Sequence, residues 1–427
     1  MMKNSTSTGL KKSIGMPQAI ALYISAVLGS GILIVPGLAA EIAGPASLLA
    51  WGFMALFILP MALSMGLLSA RYPSAGGVSH FVTLAFGARI GSLVGWFFLM
   101  SVPFGAPVAA LTGAGYLTSA LGLGENMRIA LATLILLIGL FMNIVGMKLI
   151  GRIQIAVVIS IVAVLLFIFA AALPQMQASH FTPFMPNGWM SVGRAGALLF
   201  WCFIGWEAVS HLSEEFEDPQ RAAIKGVSIA AVIVGTLYFL VALATVGTQS
   251  YLKTGSDSAL IWIINEPLGR IGALIIGITG MLICTATIIA YIGAASRVAY
   301  SLSRQGDAPK WMGILSKRYH TPVGALIFLS ICFILVLLLY GSKVVSLTTI
   351  IQLPNASFIL TYLFGCAAGV RLLRDSKWGV SISLISLLCT AFVFPFTGWA
   401  ILYPCVITAG FWIVTLFGKK EAAISTK

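Results

Sequence analysis

The sequence predicts an all-α polytopic membrane protein: one bundle of twelve apolar helices, two of them discontinuous. Three observations carry this reading. Of the 427 residues, 59% are hydrophobic and only 9% charged, against roughly a quarter charged in a soluble domain. Apolar stretches of about 20 residues, the helix length that crosses a hydrocarbon core, recur almost without pause. The 25 Lys and Arg are sorted between alternate connections, as orientation in a membrane requires.

The stretches cover 16–40, 47–70, 91–121, 127–147, 153–173, 192–213, 226–248, 268–300, 322–340, 344–370, 378–395 and 398–417, with ends defined to within about 2–4 residues. Span one follows a polar, lightly basic tail (1–15). It is too long for a signal-peptide core and no small-residue cleavage site closes it, so it is expected to remain in the mature protein. Residue 2 is Met rather than Gly, so no myristoylation signal is present. Span two ends in Arg71-Tyr72-Pro73-Ser74-Ala75-Gly76-Gly77, a turn punctuated by Pro and Gly. After it, the amphipathic stretch His80 to Phe86 is expected as a short interfacial segment, with His80 a surface or hinge residue. Spans three to five complete a first half (16–173), and spans six to ten a second (192–370). Span eight closes in Ser303-Arg304-Gln305-Gly306-Asp307-Ala308-Pro309, again a turn. Spans eleven and twelve (378–417) lie outside both halves, before a short tail (418–427).

An even number of spans puts both termini on one side. With that side cytoplasmic, only Arg128, Arg194, Lys253, Arg270 and Lys343 fall outside and the other twenty basic residues inside. A correctly phased cell-membrane topology gives this bias. The net charge of +13 is thereby assigned to orientation and apposition to anionic lipid, which argues against a nucleic-acid partner. Six cysteines (202, 284, 332, 366, 389, 405) fall within apolar stretches without C-x-x-C spacing or a neighbouring His. They read as small buried hydrophobes rather than a disulfide frame or metal cluster.

Two glycine-centred interruptions stand out, Gly29-Ser30-Gly31 in span one and Gly205-Trp206-Glu207 in span six. Hydrocarbon cannot satisfy the backbone groups a broken helix frees, so such breaks line a cavity and meet a polar ligand. At corresponding positions of two halves they point to a midplane substrate site in a secondary transporter, although no sequence repeat is visible by eye. At the first break, glycine lets a ligand approach the backbone. The following half-helix presents N–H groups and its positive dipole end, which suits a carboxylate. The competing reading is that these glycines only permit close helix packing.

Glu207 is the one acidic residue well inside any span, and an intramembrane carboxylate is a functional candidate by default. It either binds and releases a coupling proton or braces the broken helix by hydrogen bonding. Trp201, Phe203 and Trp206 surround this break and can cover a small ligand or fill core volume. Downstream, His211-Leu212-Ser213-Glu214-Glu215-Phe216-Glu217-Asp218-Pro219-Gln220-Arg221 reads as a salt-bridged helix exit rather than a metal site. Glu214, Glu215 and Arg221 are candidates for a cytoplasmic gate or loop anchor.

Gly29-Ser30-Gly31-Ile32, Tyr72 to Gly77, Phe203-x-Gly205-x-Glu207 with Glu214-Glu215 and Asp218-Pro219-x-Arg221, and Ser296-Arg297 through Gly306-Asp307-Ala308-Pro309 together resemble the amino acid-polyamine-organocation superfamily. They span about 300 residues in the family's order. Within it, Phe200 to Phe203 with Glu207-Ala208 and His211-Leu212, and Arg71 to Val78, are most similar to the bacterial methionine and branched-chain amino acid exporter branch. The resemblance implies a LeuT-like five-plus-five inverted repeat with two added helices. It also implies that the Ser30, Gly31 and Ile32 amides hold the substrate carboxylate, that carbonyls near Cys202, Phe203 and Gly205 receive its ammonium, that Trp201 occludes the site, and that Glu207 serves proton-linked transport. The related arginine exchanger stacks its substrate on a Trp in span eight. The stretch here is Thr287-Ile288-Ile289-Ala290-Tyr291-Ile292, which does not favour a cationic substrate. Some members replace sodium with a basic residue inside span five, whereas Lys148 and Arg152 lie at its start, so the coupling ion stays open.

Wall candidates Met100, Phe104, Phe203 and Ile289 are apolar. The expectation is a proton-coupled transporter of neutral hydrophobic amino acids, an exporter by resemblance alone, needing no cofactor or metal beyond the proton. An uptake permease is the alternative. A membrane-embedded enzyme would need a cluster of acids and bases at one interface, for which only His211, Glu214 and Glu215 come close. A nutrient sensor would need signalling tails longer than these.

Overall fold

The computed structural model describes residues 13–253 and 259–424; Lys3, Lys11, Lys12 and Lys427 of the charge count lie outside them. The described chain is helical throughout, with one isolated β-bridge between Ile14 and Phe216. The elements run α1 (Met16–Val27), α2 (Gly31–Ala43), α3 (Ser47–Arg71), α4 (Gly77–Phe86), α5 (Ala88–Leu121), α6 (Glu125–Val145), α7 (Met147–Ala172), α8 (Gly188–Leu199), α9 (Trp206–Ser210), the single turn α10 (Pro219–Arg221), α11 (Val227–Thr248), α12 (Ala259–Gln305), α13 (Val323–Gly341), α14 (Leu347–Leu372), α15 (Lys377–Val393) and α16 (Leu402–Ile424).

Among the described residues nine helices are long and apolar enough to cross a membrane, or up to ten if the bent last pair counts as one span. The sequence's twelve stretches overlap these helices without matching them one to one. The first helical run, Met16–Arg71, holds two of them, and α15 with α16 holds the last two. That final pair is bent by 109° through a 3-10 stretch, Phe394–Ile401, with Gly398 at φ +59°. Periodicity alone gave no sign of such a bend.

Large apolar side chains face outward along these helices. Leu56 on α3, Ile271 on α12, Leu338 on α13 and Phe392 on α15 are each more than 60% exposed, which in water would be a solubility liability and in lipid is the matched surface. The protein is a multi-pass membrane protein. Its interior is lined by small and aromatic residues where α5, α12 and α14 pack on one another and α1, α3, α7 and α11 close the other side.

α4, expected as a short interfacial segment, buries its apolar stripe, Val78, Phe81, Val82 and Ala85, against α5 and α14 and leaves Leu84 exposed. One element differs from expectation. α12 starts nine residues earlier than the predicted span eight and is broken at Gly269, where φ is +55°.

Candidate functional site

The first helix does break where the glycines are. α1 ends at Val27, Leu28 leaves helical geometry at φ −74°, ψ 66°, and the Gly29 N–H turns back onto the Val27 carbonyl at 2.8 Å. α2 then opens at Gly31 with Ser30 before it and no side-chain cap. Among the described residues the Ser30, Gly31 and Ile32 amides donate to no other backbone group. A helix N-terminus leaves such donors unspent, and they carry the positive end of the dipole. On the other side of the break the freed carbonyls of α1 are held. The Thr287 hydroxyl lies 2.6 Å from the Ser25 oxygen and 3.3 Å from that of Leu28, and Tyr238 donates to Val27 at 2.9 Å. Ser25 itself donates to Gln154, which donates to the Ala286 carbonyl, both at 2.8 Å.

The second break faces the first. α8 tightens into a 3-10 turn over Phe200–Phe203, Ile204 is extended, and Gly205 sits at φ +137° before α9 begins. That conformation is strained for any residue with a Cβ. A Cβ on Gly205 would also stand 2.7 Å from the Ala26 carbonyl oxygen, and one on Gly31 would stand 2.8 Å from the Cys202 sulfur. The two interruptions thus pack glycine against main chain in both directions. The spacing required is set by the absence of those side chains.

Glu207 is wholly buried in the first turn of α9. Its Oε2 accepts the Gly205 N–H at 2.8 Å, and its Oε1 lies 3.4 Å from the Tyr291 hydroxyl. Tyr362 accepts the Trp206 and Glu207 amides at 3.1 and 3.4 Å. The carboxyl therefore caps the short helix it belongs to, as an N-terminal acid does, and among the described residues it forms no ion pair.

Between the breaks lies a narrow hollow of about 50 Å³. Its polar edge is main chain and hydroxyl: Gly29, Ser30, Gly31, Thr287 and Tyr291. Its remaining wall is apolar and comes from Val102, Gly105, Ala106 and Ala109 of α5, Trp201 and Ile204 at the second break, Ile288 of α12 and Phe358 of α14. Of the residues singled out from sequence, Ser30, Gly31 and Trp201 line it. Ile32, Cys202, Phe203, Gly205 and Glu207 are buried beside it, Phe203 edge-on to Trp51. The expected wall residues are displaced by a helical phase. Met100 instead accepts a hydrogen bond from Tyr403, Phe104 packs on Tyr403, and the Ile289 carbonyl is bound by Asn143. The α5 face made of Gly105, Ala106 and Ala109 was missed because small residues give no hydrophobic signal of their own.

A second constellation lies past the end of α9. The Glu215 carboxylate pairs with Arg297 of α12 at 2.8 Å, both nearly or fully buried. Glu214 accepts the Ala75 N–H at 2.9 Å and Ser213 that of Ser74 at 3.2 Å, tying the turn before α4 to this segment. The Glu215 carbonyl accepts the Ser13 and Ile14 amides at 2.9 and 3.0 Å, and Glu217 N–H returns to Ile14 at 2.9 Å. Arg221, by contrast, is exposed and makes no ion pair among the described residues; its amide is capped by Asp218 at 3.1 Å. Arg297 entered the charge count as a cytoplasmic cation, and its position one residue after Ser296 gave no sign of burial. No group of three or more His, Cys, Asp or Glu able to hold a metal occurs among the described residues.

The sequence profile of the family described as amino acid permease matches residues 14–424. An uncharacterized amino acid permease, YecA of Bacillus subtilis (strain 168), is 36% identical over 416 residues, covering 96% of this chain and 98% of its own. The L-methionine/branched-chain amino acid exporter YjeH of Escherichia coli (strain K12) is 31% identical over 411 residues, covering 95% and 97%. The branched-chain amino acid permease BcaP of Bacillus subtilis (strain 168) is 28% identical over 338 residues, covering 74% and 72%. Among solved structures, MhsT in complex with L-phenylalanine superposes with a TM-score of 0.68 over 92% of this chain and 100% of that one, at 16% identity, so the two share a fold. Profile, relatives and fold agree: the chain belongs to the amino acid permease family and is a transporter, not an enzyme.

Proposed function

We propose that the protein moves neutral hydrophobic L-amino acids, such as methionine, leucine, isoleucine and valine, across the cytoplasmic membrane by alternating access, as a proton-coupled exporter. The observation that carries this reading is the hollow between two facing helix breaks, whose polar groups are main chain of the first break and the Thr287 and Tyr291 hydroxyls and whose remaining walls are apolar. A zwitterion needs both ends held and offers only its side chain for selection. Unspent amides at Ser30, Gly31 and Ile32 suit its carboxylate, and the main-chain carbonyls of Cys202 to Gly205, where the 3-10 turn gives way to extended Ile204, suit its ammonium. Walls such as Val102, Ile204 and Ile288 offer an aliphatic side chain no partner for charge, and Trp201 stands as the cover.

On this reading the fold is a five-plus-five inverted repeat with two added helices and twelve crossings, both termini cytoplasmic, and one half rocks against the other. The cluster of Glu214, Glu215 and Arg297 is the cytoplasmic gate, with Arg221 outside its ion pair. Glu207 carries the coupling proton. The names of YjeH and BcaP, an exporter and a permease for overlapping substrates, support the substrate class, and BcaP keeps uptake as the second reading. The test is flux of radiolabelled leucine and methionine in proteoliposomes with and without an imposed pH gradient. Saturable flux that the gradient accelerates is expected; flux of neither amino acid would overturn the reading.

A further inference from the structure

We infer that Tyr291 links occupancy of the hollow to protonation of Glu207, so that an amino acid and a proton bind together, the co-transport of the uptake reading rather than the proton exchange that would drive export. The inference rests on the substrate reading above. Among the described residues, Tyr291 is the one that both lines the hollow and reaches the Glu207 carboxylate. A phenol has a single proton and donates to one acceptor at a time. Its bond to Glu207 Oε1, at 3.4 Å, is the long one; the Gly205 amide holds Oε2 at 2.8 Å. An O–H donor at that distance is beyond the usual 2.5–3.0 Å range and is readily given up. A bound amino acid offers a carboxylate at the hollow's polar edge as a competing acceptor. When the phenol turns to it, Tyr291 keeps its own proton and Glu207 loses a donor to its charged form. A buried carboxylate so deprived favours its acid form, and the proton it gains comes from water.

Other titratable groups face this position. Tyr362 of α14 accepts the first amides of α9, and its hydroxyl also faces the Glu207 carboxyl, but it does not line the hollow. Tyr23 of α1 stacks on Trp206 at 6.0 Å. One turn further along, His211 is buried, close to the Ala75 and Gly76 backbone and packed against Gly77 at the start of α4 and Phe98 of α5. His80 of α4 is half-buried, and the Glu214, Glu215 and Arg297 cluster follows. Among them Tyr291 alone touches both the hollow and the carboxylate.

The experiment measures proton uptake per bound leucine by calorimetry in two buffers of different ionisation enthalpy, on the full-length protein, with affinity followed from pH 6 to 8. In the wild type, uptake approaching one proton is expected, with affinity rising by up to about tenfold per pH unit as pH falls. Tyr291→Phe is expected to bind more weakly, with no proton uptake and no pH dependence. Glu207→Gln also loses uptake. Infrared difference spectra of the wild type upon leucine addition should gain a protonated-carboxyl band that Glu207→Gln lacks. Wild-type uptake persisting in Tyr291→Phe, uptake surviving in Glu207→Gln, or leucine binding with neither uptake nor the carboxyl band each overturns the inference. Absence of any leucine or methionine binding by the wild type would instead overturn the substrate reading.

Discussion

Among the described residues, Glu207 combines full burial, no ion-pair partner and a hydrogen bond to the amide two residues before it. It caps its helix, and the proposed proton exchange is a second role that separates from the first on substitution. Gln keeps an oxygen that can accept the Gly205 amide but cannot titrate. Glu207→Gln should therefore retain substrate binding while flattening the pH dependence of flux, measured in proteoliposomes; unchanged pH dependence with intact flux would remove the coupling role. Gly31 is the opposite case. Its missing Cβ would stand 2.8 Å from the Cys202 sulfur and 3.3 Å from the Cys202 Cα, so Gly31→Leu forces the two breaks apart. Loss of leucine binding by more than 100-fold with normal membrane insertion is expected, and wild-type affinity would refute the carboxylate site. Both positions were legible in the sequence because each breaks a rule, an acid in a span and a glycine pair at mid-helix. The wall was not, because the phase of a helix that is apolar all round cannot be read from its own residues; hence Val102, Gly105 and Ala106 line the hollow where Met100 and Phe104 were expected.

Among the elements, the proposed gate rests on three ties of different kinds: the Glu215–Arg297 ion pair, the side chains of Ser213 and Glu214 on the turn before α4, and backbone pairing of Ser13 and Ile14 to the segment Glu215–Glu217. Removing one partner of a buried pair leaves an uncompensated charge and costs about 3–5 kcal/mol. Arg297→Gln should therefore destabilise the closed arrangement. Cys202, buried beside Gly31, reports it: in a variant with the other five cysteines replaced, its alkylation rate should rise by at least tenfold on Arg297→Gln. The charge-swapped pair Glu215→Arg with Arg297→Glu should restore slow labelling. An alkylation rate indifferent to both changes would make the pair a structural tie without a gating role. From the sequence, the acidic half of this lock was visible as a cluster and its basic half was not. Proximity along the chain pointed to Arg221, whereas the partner comes from α12, 82 residues from Glu215.

For the molecule as a whole, the helical architecture was the most legible property, since a chain this apolar has few ways to satisfy its backbone in lipid other than as helices. Less legible was how many helices cross, because length and apolarity leave the bent pair α15 and α16 ambiguous. The orientation proposed from the basic residues is open to direct measurement at α14. This helix joins a connection carrying Lys343 to one carrying Arg374, both exposed. In a background without native cysteines, Lys343→Cys should react with a membrane-impermeant maleimide added outside intact cells, and Arg374→Cys only after the cells are opened. These two sites bracket a single crossing, so labelling of both from one side would mean that α14 does not span. The two halves would then hold unequal numbers of crossings, and an inverted repeat built from them could not stand.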